Sequence, residues 1–145
     1  MKRWLLILSA MLVVVLLGFI VGFPALKRHI ESVNCSNQMH AILFVASFSW
    51  PLDNQGHLPS NFLALSNELG TPKVLVCPSD HSREAATNWA VFATSNCSYE
   101  VVTANLLRSN TNGIFMRCPK HEYIGCADDR LLDRSGHLIR PNRLW

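Results

Sequence analysis

Two cysteine-proline pairs are the residues of this chain whose types and spacing are best suited to chemistry. The segment FMRCPKHEYIGCADD, Phe115 to Asp129, holds two cysteines, a histidine and three acids. Upstream, LVCPSDH, Leu75 to His81, has the same order of apolar run, cysteine and proline. Two such pairs can form one disulfide, ligate a soft metal ion or supply a thiolate nucleophile.

Zinc binding is one alternative that the spacing leaves open. Structural zinc sites hold four ligands, which are cysteine thiolates and histidine imidazoles. The tight Cys-x-x-Cys pair found in many such sites is absent from this sequence. An oxidising compartment also competes for the thiolates. The candidate ligands are Cys77, His81, Cys118, His121 and Cys126.

Catalytic motifs are missing from the chain. Ser79, Asp80 and His81 are neighbours in sequence, whereas a catalytic triad is assembled from distant segments. Neither Gly-x-Ser-x-Gly nor His-Glu-x-x-His occurs. We therefore expect no enzymatic activity and no catalytic residue.

Calcium is the other metal to consider. Asp128, Asp129 and Asp133 lie in a turn-rich stretch and offer oxygen ligands, although their spacing does not fit an EF-hand loop. Acids in turns are ordinary, so we expect no bound metal and no cofactor.

The N-terminus predicts a membrane anchor. From Trp4 to Leu26 the chain carries no charged residue, and basic residues stand on both sides of this stretch. A helix needs about 20 apolar residues to span a bilayer, whereas the apolar core of a cleaved signal peptide has about 7–15. We therefore expect an uncleaved anchor in residues 1-28 and an extracytoplasmic domain in residues 29-145.

Charge argues against nucleic-acid binding. Four of the 13 lysines and arginines flank the anchor, which leaves nine against 10 acidic residues in the rest of the chain. No basic surface is then available to follow a phosphate backbone. The expected partner is the membrane.

The five cysteines all follow the anchor, which favours an oxidising compartment and at least one disulfide. Cys77 and Cys118 each follow a strand-like apolar run and precede a proline, so two adjacent strands place them at matching ends. We expect them to form one disulfide, with His81 and His121 exposed and unliganded. Cys35 is then a free thiol on the helix.

The remaining pattern predicts an α+β fold. A helix runs from the membrane to about Trp50, where Pro51 ends it, and a short helix covers residues 61–69. Several short runs, beginning with KVLVC at Lys73, read as antiparallel strands. The long helix should pack on this sheet. The helix residues expected against the sheet are Ile42, Phe44, Val45, Phe48 and Trp50.

The order of the motifs resembles pilin-like proteins of the type II secretion pseudopilin G kind. The matching elements are Cys35 with Asn37, the aromatic helix end at Trp50, Asp-x-x-Gly-x-x-Pro from Asp53 to Pro59, and Val-x-x-Cys-Pro-x-Asp from Val74 to Asp80. RCPKHEYIGCADD also resembles the closing strands of that group. The resemblance covers about residues 24 to 133.

This resemblance implies a bacterial inner-membrane protein with a periplasmic domain that serves as a structural subunit beside other pilin-like subunits. The chain departs from the family at the prepilin peptidase site. Gly18-Phe19 and Gly22-Phe23 are not followed by the glutamate at the fifth position of the mature chain. We therefore expect the chain to stay full length. The alternative from another class is a membrane-tethered zinc-binding or sensing domain.

Overall fold

A computed structural model describes the backbone of residues 2–140 and the side chains of Trp4 and of residues 11–140. One long helix dominates the N-terminal half. Helix α1 spans Lys2–Phe44 and continues through a π-helical turn, Val45–Ser49, into the short helix α2, Trp50–Asp53.

The helix does not end at Pro51, as the sequence predicted. Pro51 occupies the first turn of α2, the helical position that best tolerates a residue without an N–H group. The wider turn before it accommodates the break in the α-helical ladder. The helix ends instead at Asn54, whose side-chain amide donates to the Trp50 carbonyl.

The first half of α1 is long and apolar enough to cross a membrane. Every described side chain from Met11 to Leu26 is exposed, so this stretch packs on no described part of the domain. The helix then continues beyond Lys27 and Arg28 into the domain core without interruption. An apolar surface of this length needs lipid or protein to cover it.

Five short antiparallel strands form one sheet in sequential order, β1-β2-β3-β4-β5. The sheet and the helix that packs on it confirm the α+β class. The strands are β1 Glu100–Val101, β2 Ile114–Cys118, β3 Tyr123–Cys126, β4 Leu131–Leu132 and β5 Leu138–Ile139.

Short helical turns fill the segment between helix and sheet. Asn61 caps the first of these by accepting from the Ala64 N–H, and Gly70 with φ of 67° ends the following helix α3, Ser66–Leu69. The strand predicted at Lys73 is wrong. Pro72–Leu75 is a 3₁₀ turn, because Thr71 caps it by accepting from the Lys73 N–H and Pro72 fixes the helical φ at its start.

One face of α1 provides the centre of the core. Its fully buried residues recur at helical spacing and are Cys35, Met39, Ile42, Leu43 and Ala46. Gly125 in β3 permits the close approach of helix and sheet, because a Cβ there would lie 2.7 Å from a Leu43 methyl carbon. Two polar contacts also join helix and sheet: Ser32 Oγ lies 2.6 Å from Tyr123 Oη, and His40 Nε2 lies 3.1 Å from the Ile139 carbonyl.

Three of the five helix residues expected to pack against the sheet are buried or partly buried. Ile42 is fully buried, and Val45 and Trp50 are partly buried against the core. The expectation is wrong for Phe44 and Phe48, which are 54% and 49% exposed. They lie one turn apart on the opposite face, with their rings stacked at 5.3 Å.

Two alanine substitutions should distinguish the buried face of the helix from the exposed face by their effects on stability. Ile42→Ala is expected to cost about 2–5 kcal/mol of folding free energy, because it leaves a cavity under the sheet. Phe48→Ala should cost about 1 kcal/mol or less, since the ring is half exposed and contacts mainly Phe44 and the Arg108 guanidinium. Thermal melts of the full chain in detergent measure both. Equal losses would contradict this assignment of faces.

Candidate metal centre

Four ligand atoms from three separate parts of the fold meet at one point beside the helix. Cys35 comes from α1, Cys77 follows the Pro72–Leu75 turn, Cys118 ends β2, and His121 lies in the turn between β2 and β3. The three sulfurs and an imidazole nitrogen all lie within 4.8 Å of one another.

Local structure fixes the two cysteine-proline corners. After Cys77 the chain makes a turn in which the Asp80 N–H donates to the Cys77 carbonyl at 2.8 Å. After Cys118 the four residues 119–122 form the tight hairpin turn, and Cys118 stands opposite Tyr123 in the register of the two strands. Stacking of the His121 ring on Tyr123, at 5.3 Å between centroids, holds the imidazole over the hairpin.

The measured separations match the edges of a zinc tetrahedron. Cys35 Sγ lies 3.5 Å from Cys118 Sγ, and His121 Nδ1 lies 3.4 Å from Cys77 Sγ and 3.9 Å from Cys118 Sγ. With zinc–sulfur bonds of about 2.3 Å and zinc–nitrogen bonds of about 2.0 Å, tetrahedral edges measure about 3.8 Å between sulfurs and about 3.5 Å from sulfur to nitrogen. These three separations are close to tetrahedral edges, and all four atoms lie within 4.8 Å of one another, so one zinc ion could contact all of them.

The environment of the site is closed to solvent. Cys35 and Cys118 are fully buried, Cys77 is 1% exposed, and His121 is half-buried. Three sulfurs and one imidazole form the Cys₃His ligand set of structural zinc sites, and calcium and magnesium prefer oxygen ligands.

The three thiols interact strongly with one another. Hydrogen bonds with Cys118 and Cys77, together with burial, raise the pKa of Cys35 far above its usual value. The hydrogen bond with Cys118 is the main cause that raises the pKa of Cys77 to about 11. Hydrogen bonds from Cys35 and Cys77, and from the backbone N–H of His121, lower the pKa of Cys118 well below its usual value. These directions favour the thiolate form at Cys118 over Cys35 and Cys77.

Polar side chains surround the ligand atoms. Ser79 Oγ lies 3.2 Å from His121 Nε2 and donates to Glu31 Oε2 at 3.1 Å. On the far side of the cluster, Tyr99 Oη lies 3.7 Å from Cys35 Sγ and donates to Gln38 Oε1 at 2.9 Å.

The predicted disulfide between Cys77 and Cys118 is not present. All five cysteines carry free thiols, and no pair of sulfurs lies at bonding distance among the described residues. The prediction rested on two adjacent strands ending at the same level, but Cys77 follows a 3₁₀ turn and only Cys118 ends a strand. His121 was also expected to be exposed beyond the sheet, but it is half-buried, with its Nδ1 atom facing two of the thiols.

The other candidate ligands lie outside the cluster. His81 is exposed, with its Nε2 atom 3.8 Å from Glu31 Oε1. Cys97 donates its thiol to the Tyr99 carbonyl, and Cys126 is buried in β3.

The three aspartates considered as calcium ligands form contacts within the turns in which they lie. Asp128 pairs with Arg130 at 2.7 Å, and Asp129 is an exposed turn residue with φ of 67°. Asp133 accepts the backbone N–H groups of Ser135 and His137. These contacts explain the three acids as turn residues.

Cys35 is the member of the cluster that the sequence analysis did not include among the candidate ligands, since it was expected to be a free thiol on the helix. It lies 83 positions from Cys118, and nothing in the local sequence marks it as a partner. A signal was nonetheless present, since Cys35 stands one helical turn before Met39 at the start of the buried face of α1. A cysteine on that face must point towards the sheet.

Comparison with known proteins does not identify a family for this chain. No family model, no curated protein and no solved structure matches this chain.

Proposed function

We propose that this chain is a single-pass membrane protein whose extramembrane domain binds one zinc ion between Cys35, Cys77, Cys118 and His121. In this proposal the ion connects the β2–β3 hairpin and the segment around Cys77 to α1, the helix that anchors the domain. The observation that carries it is the convergence of four zinc-ligand atoms within 4.8 Å, contributed by three parts of the fold.

The ligand set supports a structural role for the ion. Four protein ligands complete a tetrahedron and leave no position for a water molecule or a substrate, whereas catalytic zinc sites keep one position open. Burial of all three sulfurs restricts access further. The protein is therefore proposed to act as a structural membrane component rather than as an enzyme.

The position of the site along α1 gives the ion a mechanical role. Cys35 lies seven residues beyond Arg28, or about 10 Å at 1.5 Å per residue, where the apolar stretch has ended. A bond from zinc to Cys35 therefore joins the domain to the anchor helix close to the expected membrane surface. We propose a periplasmic location for the domain, and labelling of an exposed residue by a membrane-impermeant reagent in intact cells tests that orientation.

The direct test is the metal content of the purified full chain in detergent. We expect about one zinc per chain by elemental analysis when cells are grown with zinc and the protein is purified without chelator. Cys118→Ser should remove most of this zinc, because one of the three buried thiolate ligands is lost. Cys97→Ser is the matched control: serine can keep the bond to the Tyr99 carbonyl, and Cys97 lies outside the cluster.

Two results would overturn the zinc assignment. The first is wild-type protein that is folded, carries reduced thiols and contains no zinc even after incubation with a slight excess of the metal. The second is equal zinc content in Cys118→Ser and in the control.

A second candidate function is a structural subunit of a pilin-like assembly of the type II secretion kind. One continuous helix that leaves an apolar segment and packs on a small antiparallel sheet favours it, as does the order of the sequence motifs. Crosslinking between cysteines introduced at exposed positions such as Leu12 and Phe19 tests self-association along the helix. A chain that stays monomeric in membranes at native expression would exclude this candidate.

A further inference from the structure

Two residues outside the ligand set, Ser79 and Glu31, form a hydrogen-bonded chain that ends on His121. Ser79 Oγ lies 3.1 Å from a Glu31 carboxylate oxygen and 3.2 Å from His121 Nε2. The opposite ring nitrogen, Nδ1, faces Cys77 Sγ and Cys118 Sγ. Both nitrogens of the imidazole are therefore engaged, one with the cluster and one with this chain.

Counting protons assigns a direction to every bond in the chain. A carboxylate only accepts, so the single hydroxyl proton of Ser79 goes to Glu31. Ser79 Oγ then has only lone pairs to offer to the histidine, and His121 Nε2 must be the donor. A neutral imidazole protonated at Nε2 has its free lone pair at Nδ1. That lone pair lies on the nitrogen nearest to the Cys77 and Cys118 sulfurs.

We propose that Glu31 and Ser79 are positioning residues that hold His121 in the tautomer with Nδ1 free to bind zinc. This inference rests on the proposed zinc site and adds to it the residues that orient its nitrogen ligand. Metal-binding histidines commonly donate their other N–H to a carboxylate, a carbonyl or a water molecule. Here a serine hydroxyl stands between the histidine and the carboxylate.

The hydrogen bonds among Glu31, Ser79 and His121 connect the same parts of the fold that supply the metal ligands. Glu31 precedes Cys35 by one helical turn on α1, Ser79 follows Cys77 in its turn, and His121 follows Cys118. Each part of the fold that supplies a sulfur therefore supplies a member of the hydrogen-bonded chain. Glu31 is held in place from outside, since Lys27 Nζ and His81 Nε2 each lie 3.8 Å from its other oxygen, and its side chain is only 15% exposed.

Zinc affinity is the first measurement, made on the full chain in detergent by competition with a chromophoric chelator. Ser79→Ala is expected to weaken zinc binding about 10–100-fold, the usual effect of losing a residue that orients a metal ligand. Ser79→Thr retains the hydroxyl and should restore most of the affinity. Glu31→Gln should also weaken binding, whereas Glu68→Gln, a change of an exposed glutamate, should leave it unchanged.

The tautomer of His121 is the second measurement, and it does not depend on zinc. Long-range proton–nitrogen NMR of the zinc-free, reduced chain at pH 8 should show wild-type His121 protonated at Nε2. Ser79→Ala should shift it towards a mixture of the two tautomers. A merely structural effect of the substitution changes stability without changing which nitrogen carries the proton.

The outcomes separate the two proposals. Wild-type protein that binds no zinc but shows the Nε2-protonated tautomer, lost in Ser79→Ala, would overturn the zinc site and keep the positioning role. Wild-type protein that binds zinc, with affinity and tautomer unchanged in Ser79→Ala, would overturn the positioning role alone.

Discussion

Removal of zinc from the purified full chain is expected to lower its melting temperature by roughly 10–20 °C. A ligand that binds only the folded state at a free concentration of about 1,000 times its Kd stabilises that state by about 4 kcal/mol. For a domain of this size, each kcal/mol corresponds to about 3–5 °C. Tryptophan fluorescence during heating, with and without a strong chelator and in the presence of a non-thiol reductant, measures the difference.

The size of this effect follows from the places that the ligands occupy in the chain. Cys35 and Cys118 are 83 positions apart, and Cys77 and His121 are 44 apart. An ion bound to all four connects segments that otherwise lose their contacts independently when the protein unfolds. It also removes the mutual repulsion that deprotonation of three buried thiols within 4.8 Å would create.

Cys97→Ser supplies the control for this experiment as well. Its melting temperature should fall by the same amount as that of the wild type when the chelator is added, because the metal site is intact. Cys118→Ser should melt at nearly the same temperature with and without chelator. A wild-type melting temperature that does not respond to the chelator would contradict a structural role for the metal.

The elements that could be predicted from the sequence are those whose signals are local. The strand IFMRC and the two strands of the hairpin around Gly136 were predicted correctly. Their signals, alternating apolar residues and turn residues, act over only a few positions. Asn61 and Gly70 marked both ends of a helical segment for the same reason. At Lys73 the apolar run suggested a strand, but Thr71 and Pro72 favoured a turn and prevailed.

The candidate metal centre could be predicted only in part. Cys77, Cys118 and His121 were among the zinc ligands considered from the sequence, whereas His81 and Cys126 lie outside the cluster. The fourth member, Cys35, depends on which face of α1 packs on the sheet, and that is a tertiary contact. The choice between disulfide and metal depended in turn on the structure before Cys77. The strand wrongly expected at Lys73 therefore led to the expectation of matching strand ends and of a disulfide between Cys77 and Cys118.

Loss of the carboxylate at position 80 is the second large effect that we expect. Asp80 is buried and contacts two cations, with Lys120 Nζ 3.4 Å from Oδ1 and Arg83 Nε 3.4 Å from Oδ2. Burial alone would raise the pKa of Asp80, but hydrogen bonds from Ser82 and Lys120 outweigh it and lower the pKa to about 2. The side chain is therefore ionised at neutral pH.

The ion pair with Lys120 connects the two turns that carry metal ligands. Asp80 belongs to the turn after Cys77, and Lys120 lies between Cys118 and His121. Together with the contact between Ser79 Oγ and His121 Nε2, this ion pair holds the two turns at their observed separation. Asp80 therefore contributes both to the stability of the domain and to the geometry of the site.

Asp80→Asn is expected to cost about 2–4 kcal/mol of folding free energy in the zinc-free, reduced full chain, because the amide keeps the shape but leaves two cations without their anion. The partial exposure of Arg83 and Lys120, at 40% and 45%, keeps the loss below that of a fully buried pair. Asp53→Asn, a change of an exposed aspartate, is the matched control and should have an effect within about 0.5 kcal/mol. Denaturant unfolding followed by fluorescence measures both variants, and similar midpoints would show that the Asp80 ion pairs contribute nothing to folding.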